Sequence, residues 1–278
     1  MISRYAQVLD KINSPTRPND MRKSHPAIVL LFPAVLFAQY PFDGTWKTNL
    51  DQSKASPEPI VFSVRDGMYD CDSCAPKVHV KADGSDQPVT GLSHITAAVN
   101  EIGSRTIKIV VKKDGKTVSE EIRTTSENGR TLHVKVTEYP PQGGEPIIEE
   151  TTSDRVGEPM PNANASSGTW RTRNLSGSEN GLLVTYKESD SELNMSNPTG
   201  TSWTGRFDGK YYPVRGSYKV HSVSLRKIND RTIKLTFEAN GMEVLVNMMT
   251  ISADGRTMTT VSESKRTGRI STWVATKQ

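Results

Sequence analysis

Gly44-Thr45-Trp46-Lys47 and Gly168-Thr169-Trp170-Arg171 are one pattern written twice, and that repetition decides how the chain is read. Three further matches follow in the same order. Pro88-Val89-Thr90-Gly91 returns as Pro213-Val214-Arg215-Gly216. Arg105-Thr106-Ile107-Lys108 returns unchanged as Arg231-Thr232-Ile233-Lys234. Asn128-Gly129-Arg130-Thr131-Leu132 returns as Asp254-Gly255-Arg256-Thr257-Met258. The offsets are 124, 125, 126 and 126. Ordered matches at nearly constant spacing mark a tandem duplication, and units of this length are whole domains rather than solenoid repeats. Residues 158–165 are rich in Pro, Asn and Ala and show no periodicity, so they read as a linker between domains at 40–157 and 166–278.

Within each copy the apolar residues alternate with polar ones. Val78 to Lys81, Thr106 to Lys112, Leu132 to Val136 and Ile233 to Phe237 all have period two, which places one face in a core and the other in water. Asp66-Gly67, Asp83-Gly84, Asp114-Gly115 and Asn128-Gly129 punctuate the first copy. Asp208-Gly209, Asn240-Gly241 and Asp254-Gly255 punctuate the second. These dipeptides suit tight hairpins, whose central residues need positive φ. No helical stretch of useful length intervenes. The expectation is an all-β protein of two tandem antiparallel up-and-down barrels, about eight strands each, because closure is the best protection for the edges of so large a meander.

Gly44-Thr45-Trp46 and Gly168-Thr169-Trp170 resemble the Gly-x-Trp signature that opens the first strand of lipocalins. With the Lys81 to Gly84 turn and the later Gly-Arg-Thr turns, each copy is similar to the tandem lipocalin-like repeats of uncharacterised secreted bacterial proteins. In lipocalins the Trp packs across the closed end of the barrel under a basic residue of the last strand. The resemblance therefore implies floor residues Trp46 and Trp170, with Arg155 and Lys277 as the cations. It also implies a chamber able to enclose one small apolar ligand. The lipocalin helix after the last strand is missing from both copies.

The chain opens with features of a targeting segment. Met21-Arg22-Lys23 is a basic start, and Ala27 to Phe37 is an apolar run of signal-peptide length that ends at Ala38. Residues 1–38 read as an upstream extension and a signal peptide starting at Met21, and the product as periplasmic or secreted. No apolar run approaches a membrane-spanning helix, and mean hydropathy is −0.54. Residues 1–38 carry 5 basic and 2 acidic side chains, leaving 30 and 29 for the rest, so no basic excess remains to call for nucleic acid.

The search for chemistry finds little. His79, His94, His133 and His221 lack the company of a metal site. Glu120-Glu121 and Glu149-Glu150 are adjacent, and neighbours on a strand point to opposite faces. No nucleophile elbow, phosphate loop or dinucleotide fingerprint occurs, and no cofactor is implied. Cys71 and Cys74 are the only cysteines. A C-x-x-C pair can be a disulfide, half a zinc site with His79, or a redox centre. Asp70 and Asp72 raise rather than lower a neighbouring thiol pKa, and no helix N-terminus is in place to activate it. The second copy has no cysteine there, so we read Cys71–Cys74 as an oxidised loop clamp that the barrel itself does not require.

These readings favour a non-catalytic carrier for a small apolar or amphipathic ligand over a cell-envelope interaction module that uses the barrel exteriors. Trp203, Tyr211, Tyr212 and Tyr218 concentrate in the second copy and are the candidate ligand contacts. Nothing in the sequence sets the oligomeric state.

Overall fold

The structure, a computed structural model, describes residues 40–74 and 76–278. The segment read as a leader lies outside the described residues. The first copy forms β1 (Gly44–Lys54), β2 (Ile60–Arg65), β3 (Met68–Cys71), β4 (Val78–Lys81), β5 (Gln87–Pro88), β6 (Ile95–Gly103), β7 (Thr106–Lys113), β8 (Lys116–Thr125), β9 (Thr131–Glu138) and β10 (Ile147–Val156). The second forms β11 (Gly168–Gly177), β12 (Leu183–Glu188), β13 (Glu192–Ser196), β14 (Ser202–Arg206), β15 (Asp208–Arg215), β16 (Ser222–Asn229), β17 (Thr232–Ala239), β18 (Met242–Ile251), β19 (Thr257–Ser264) and β20 (Ile270–Lys277). Each copy thus supplies ten strands where about eight are expected. The surplus lies in pieces such as β3, β4 and β5, too short to display an alternation of their own.

All the pairings are antiparallel, and the strands form two barrels. The closed barrel runs β12 to β20 and is completed by β1, which pairs with both β12 and β20. The open barrel runs β4-β3-β2-β11-β10-β9-β8-β7-β6-β5. Its gap is narrowed by a bridge between Asp83 and Asn100 and by Gly84 N–H donating to the Val99 carbonyl at 2.7 Å.

The first strands have therefore changed places. β1 belongs by sequence to the first copy and sits in the closed barrel of the second. Its counterpart β11 sits between β10 and β2 in the open barrel. Neither barrel is one contiguous copy, and the described residues form a single compact unit. The connector 55–59 contains Pro57 and Pro59. Each proline biases the residue before it toward extended backbone, which opposes a tight reversal from β1 into β2. The chain leaves one barrel and enters the other.

Residues 158–165 do not act as a loose spacer. Asn164 is 7% exposed, and its Nδ2 donates to Glu101 Oε2 and to the Gly103 carbonyl, both at 2.9 Å. Asn164 N–H donates to the Val64 carbonyl, and Ser167 Oγ accepts from Val64 N–H. The end of the segment, from Asn164 to Ser167, closes the floor of the open barrel, because its buried backbone groups must find partners there.

Each barrel has its own core. Trp46, Leu193, Leu225, Ile233, Leu235 and Met249 are at its centre in the closed barrel. Phe62, Tyr69, Val99, Ile107, Leu132 and Trp170 fill the lower part of the open one.

Candidate functional site

The two floors repeat one geometry. Trp46 is fully buried, and its Nε1–H donates to the Phe42 carbonyl at 2.9 Å. Trp170 is 1% exposed, and its Nε1–H donates to the Ser166 carbonyl, also at 2.9 Å. Lys277 is the cross-strand neighbour of Trp46 and places Nζ 5.3 Å from its ring centre. Arg155 is the neighbour of Trp170, with its guanidinium 4.1 Å over the ring. Arg155 also donates to the carbonyls of Gly129, Ser167 and Ala165. Strand exchange crosses these partnerships between copies: the cation on the first copy's last strand covers the second copy's Trp, and the reverse. Gly44 and Gly168 have φ of +119° and +149°, and a Cβ on either would collide with Lys277 or Arg155. Backbone conformation and close approach of the cation both require glycine there.

The four candidate aromatics of the second copy do not converge. Trp203 is buried in the closed core, its ring 6.3 Å from that of Tyr186, and its Nε1 has no partner among the described residues. Tyr211 is 42% exposed on the outside and donates to Glu243, and Tyr212 donates to Asp208. Tyr218 alone borders a cavity, and that cavity belongs to the open barrel.

The cavity, of about 630 Å³, occupies the upper part of the open barrel. Val89, Leu92, Ile95, Val99, Ile109 and Val111 supply its apolar wall. Leu245, Trp273 and Tyr218 of the second copy face it from the other side. The rim is tied down. Arg269, in the turn before β20, donates through Nη1 to the Ser73 carbonyl at 3.3 Å and through Nη2 to the Pro59 carbonyl. Ser73 lies within the disulfide loop closed by Cys71 and Cys74, whose Cα atoms are 5.4 Å apart. Its Oγ accepts from Val61 N–H and donates to the Val61 carbonyl. Cys71 is 1% exposed and faces the core, and Cys74 lines the cavity. His79 is paired with Asp70 on the outer face, away from both sulfurs.

One charged pair stands inside this apolar chamber. Arg123 Nε donates to Glu121 Oε1, and Arg123 Nη1 donates to the Tyr69 hydroxyl at 3.1 Å. The guanidinium stacks 4.2 Å from the Phe62 ring centre. The side chains of Arg123 and Glu121 are 10% and 24% exposed, and both line the cavity. Burial works against the charged guanidinium, but Glu121 and then Tyr69 outweigh it and hold the Arg123 pKa above the ordinary arginine value. Burial raises the Tyr69 hydroxyl pKa, against the opposing pull of Arg123.

Alternation alone puts this pair on the wrong face. In Lys116–Thr125 the apolar residues Val118 and Ile122 suggest the inward parity, yet Ile122 is 37% exposed while Ser119, Arg123 and Thr125 are buried. Glu120 points out and pairs with Lys108 at 3.0 Å. The signal that could have revealed the parity is the duplication. β8 and β18 align at an offset of 126, and in β18 the same parity reads Asn247, Met249, Ile251.

Fold and site define an all-β protein of two strand-exchanged antiparallel barrels, with a half-open cavity at the mouth of the open one. No family model, curated protein or solved structure matches this chain. Among the described residues no helix is long and apolar enough to cross a membrane.

Proposed function

We propose that this protein is a non-catalytic carrier, and that the open barrel holds one small amphipathic ligand. The observation behind this reading is the cavity of about 630 Å³, with an apolar wall on the open barrel's side, the polar cluster Glu121–Arg123–Tyr69 on that wall, and a polar rim of serines, Thr267 and Arg269 from the second copy. Its volume lies in the usual range for small-molecule sites, roughly 300–1,000 Å³, and a few polar groups in an apolar cavity are how such sites orient a ligand. A second hollow of about 980 Å³, between the outer face of β8 to β11 and the end of β1, mixes a few apolar side chains such as Leu50 and Leu175 with a mostly polar lining that includes His133, Lys135, Glu150 and Arg173. The proposed site lies at the open barrel and includes Tyr218 of the four candidate aromatics. The Gly-x-Trp floors support a lipocalin-like relationship. The Cys71–Cys74 disulfide supports a periplasmic or secreted location, where such bonds persist.

Native mass spectrometry of the purified protein tests the reading, before and after addition of a fluorescent amphipath. Retention of one small molecule per chain, lost when Val99→Arg fills the chamber, is the expected result. A chain that binds no amphipath at micromolar concentration overturns it, and leaves the barrel exteriors as the working surfaces.

A further inference from the structure

The ion pair inside the open barrel has a built-in control. Glu121 lies between Ile109 and Val136 in register, and Arg123 between Ile107 and Val134. In the closed barrel the same register positions hold Asn247 beside Leu235, and Met249 beside Ile233. One fold, twice in one chain, thus carries Glu and Arg in the barrel with the cavity and Asn and Met in the barrel with the filled core. Exchanging a buried ion pair for apolar residues is commonly neutral or stabilising. The closed barrel folds with uncharged residues at both positions, even with Asn247 Oδ1 buried there without a partner among the described residues, so the architecture itself does not require the pair.

Its hydrogen bonding shows what it offers a ligand. Arg123 uses Nε and Nη1 for Glu121 and Tyr69, and Nη2 has no acceptor among the described residues. Glu121 uses Oε1, and Oε2 has no donor among the described residues. The pair therefore presents one N–H donor group and one carboxylate acceptor side by side, with its own charges already balanced. A ligand acid would meet the Glu121 carboxylate, and a ligand amine would meet the Arg123 guanidinium. Either would bring an uncompensated charge against the apolar wall beside a balanced pair, which is strongly unfavourable; the other cation on the lining, Arg269, is at the rim, with Nη1 and Nη2 committed to the Ser73 and Pro59 carbonyls.

Resting on the carrier reading above, we propose that the ligand carries an uncharged donor–acceptor head, of amide or hydroxyl type, on an apolar body. The head carbonyl or hydroxyl oxygen accepts from Arg123 Nη2–H, and its N–H or O–H donates to Glu121 Oε2.

The test compares three probes of equal chain length, decanamide, decanoate and decylammonium, by calorimetry on the full chain at pH 7.5. Decanamide is expected to bind at least about tenfold more tightly than either charged probe, a difference of about 1.4 kcal/mol. Glu121→Gln, nearly isosteric, leaves the Arg123 charge unpaired and is expected to shift the preference to decanoate. Arg123→Met with Glu121→Asn copies the closed barrel's residues and is expected to bring the three probes within about threefold of one another. Tightest binding of decanoate or decylammonium by the unmodified protein overturns the proposal and leaves the carrier reading standing. An unchanged preference in Glu121→Gln also overturns it. Failure of all three probes to bind overturns the carrier reading, and the proposal with it.

Discussion

Replacing Trp46 with Ala tests the strand exchange directly, because the two possible topologies put the damage in different barrels. Trp46 is fully buried in the closed barrel, donates to the Phe42 carbonyl, and lies beneath Lys277. Truncating a buried Trp to Ala costs about 3–5 kcal/mol, which already includes the lost hydrogen bond and cation contact. Total domain stability is typically about 5–15 kcal/mol, so the chain should still fold while β1 is released far more often. A loss of about 4 kcal/mol raises the open population roughly a thousandfold, since each 1.4 kcal/mol is a factor of ten. Hydrogen exchange read by mass spectrometry gives the location. Protection is expected to fall in Leu183–Glu188 and Ile270–Lys277, the two strands that flank β1. It should hold in Ile60–Arg65 and Ile147–Val156, which flank β11. Trp170→Ala should give the mirror pattern. Loss of protection around 60–65 and 147–156 in Trp46→Ala would mean that each copy closes on its own first strand, and would refute the exchange.

Two more outcomes are expected. Cys71→Ser with Cys74→Ser removes a very short cross-link, whose chain-entropy contribution is about 2 kcal/mol. Urea unfolding should show a loss of that order with the β-sheet spectrum intact, and a variant unable to fold would show that the barrel does depend on the clamp. In the β18–β19 turn, the Ser252 hydroxyl and then Arg256 N–H lower the Asp254 pKa. A lowered folded pKa means the contribution is present above the ordinary carboxylate range near 3.9 and is lost as pH falls through the folded value. A carboxyl titration by NMR should place Asp254 below that range, and a midpoint at or above it contradicts the turn geometry. Asn128 makes the same turn in the first copy without a titrating group, so Asp254→Asn should abolish the effect and keep the hairpin.

Much of the architecture is legible in the chain alone. Period-two strands and Asp-Gly or Asn-Gly turns depend on local backbone preference and on burial of one face, and both are short-range. The floor residues are legible too, because Gly-x-Trp recurs and a basic residue stands near each copy's end, but which cation meets which Trp is not. The inward facing of Glu121 and Arg123 is not, since Val118 and Ile122 on the same strand favour the opposite parity. What reverses it is tertiary: register against β9 runs unbroken from Ser119 to Thr125, the register against β7 shifts beside Val118, and Ser119 and Thr125 go inward with Glu121 and Arg123.

The sequence by itself determined that there are two copies, that both are antiparallel β, and that each opens on a strand ending its barrel with a Trp. It does not say which barrel each Trp enters. Gly44-Thr45-Trp46-Lys47 and Gly168-Thr169-Trp170-Arg171 are nearly the same strand, so either seat satisfies their local preferences equally. The tertiary structure breaks that degeneracy through the connections. Pro57 and Pro59 send the chain onward after β1, and the floor contacts of 164–167 seat β11 directly beside β10.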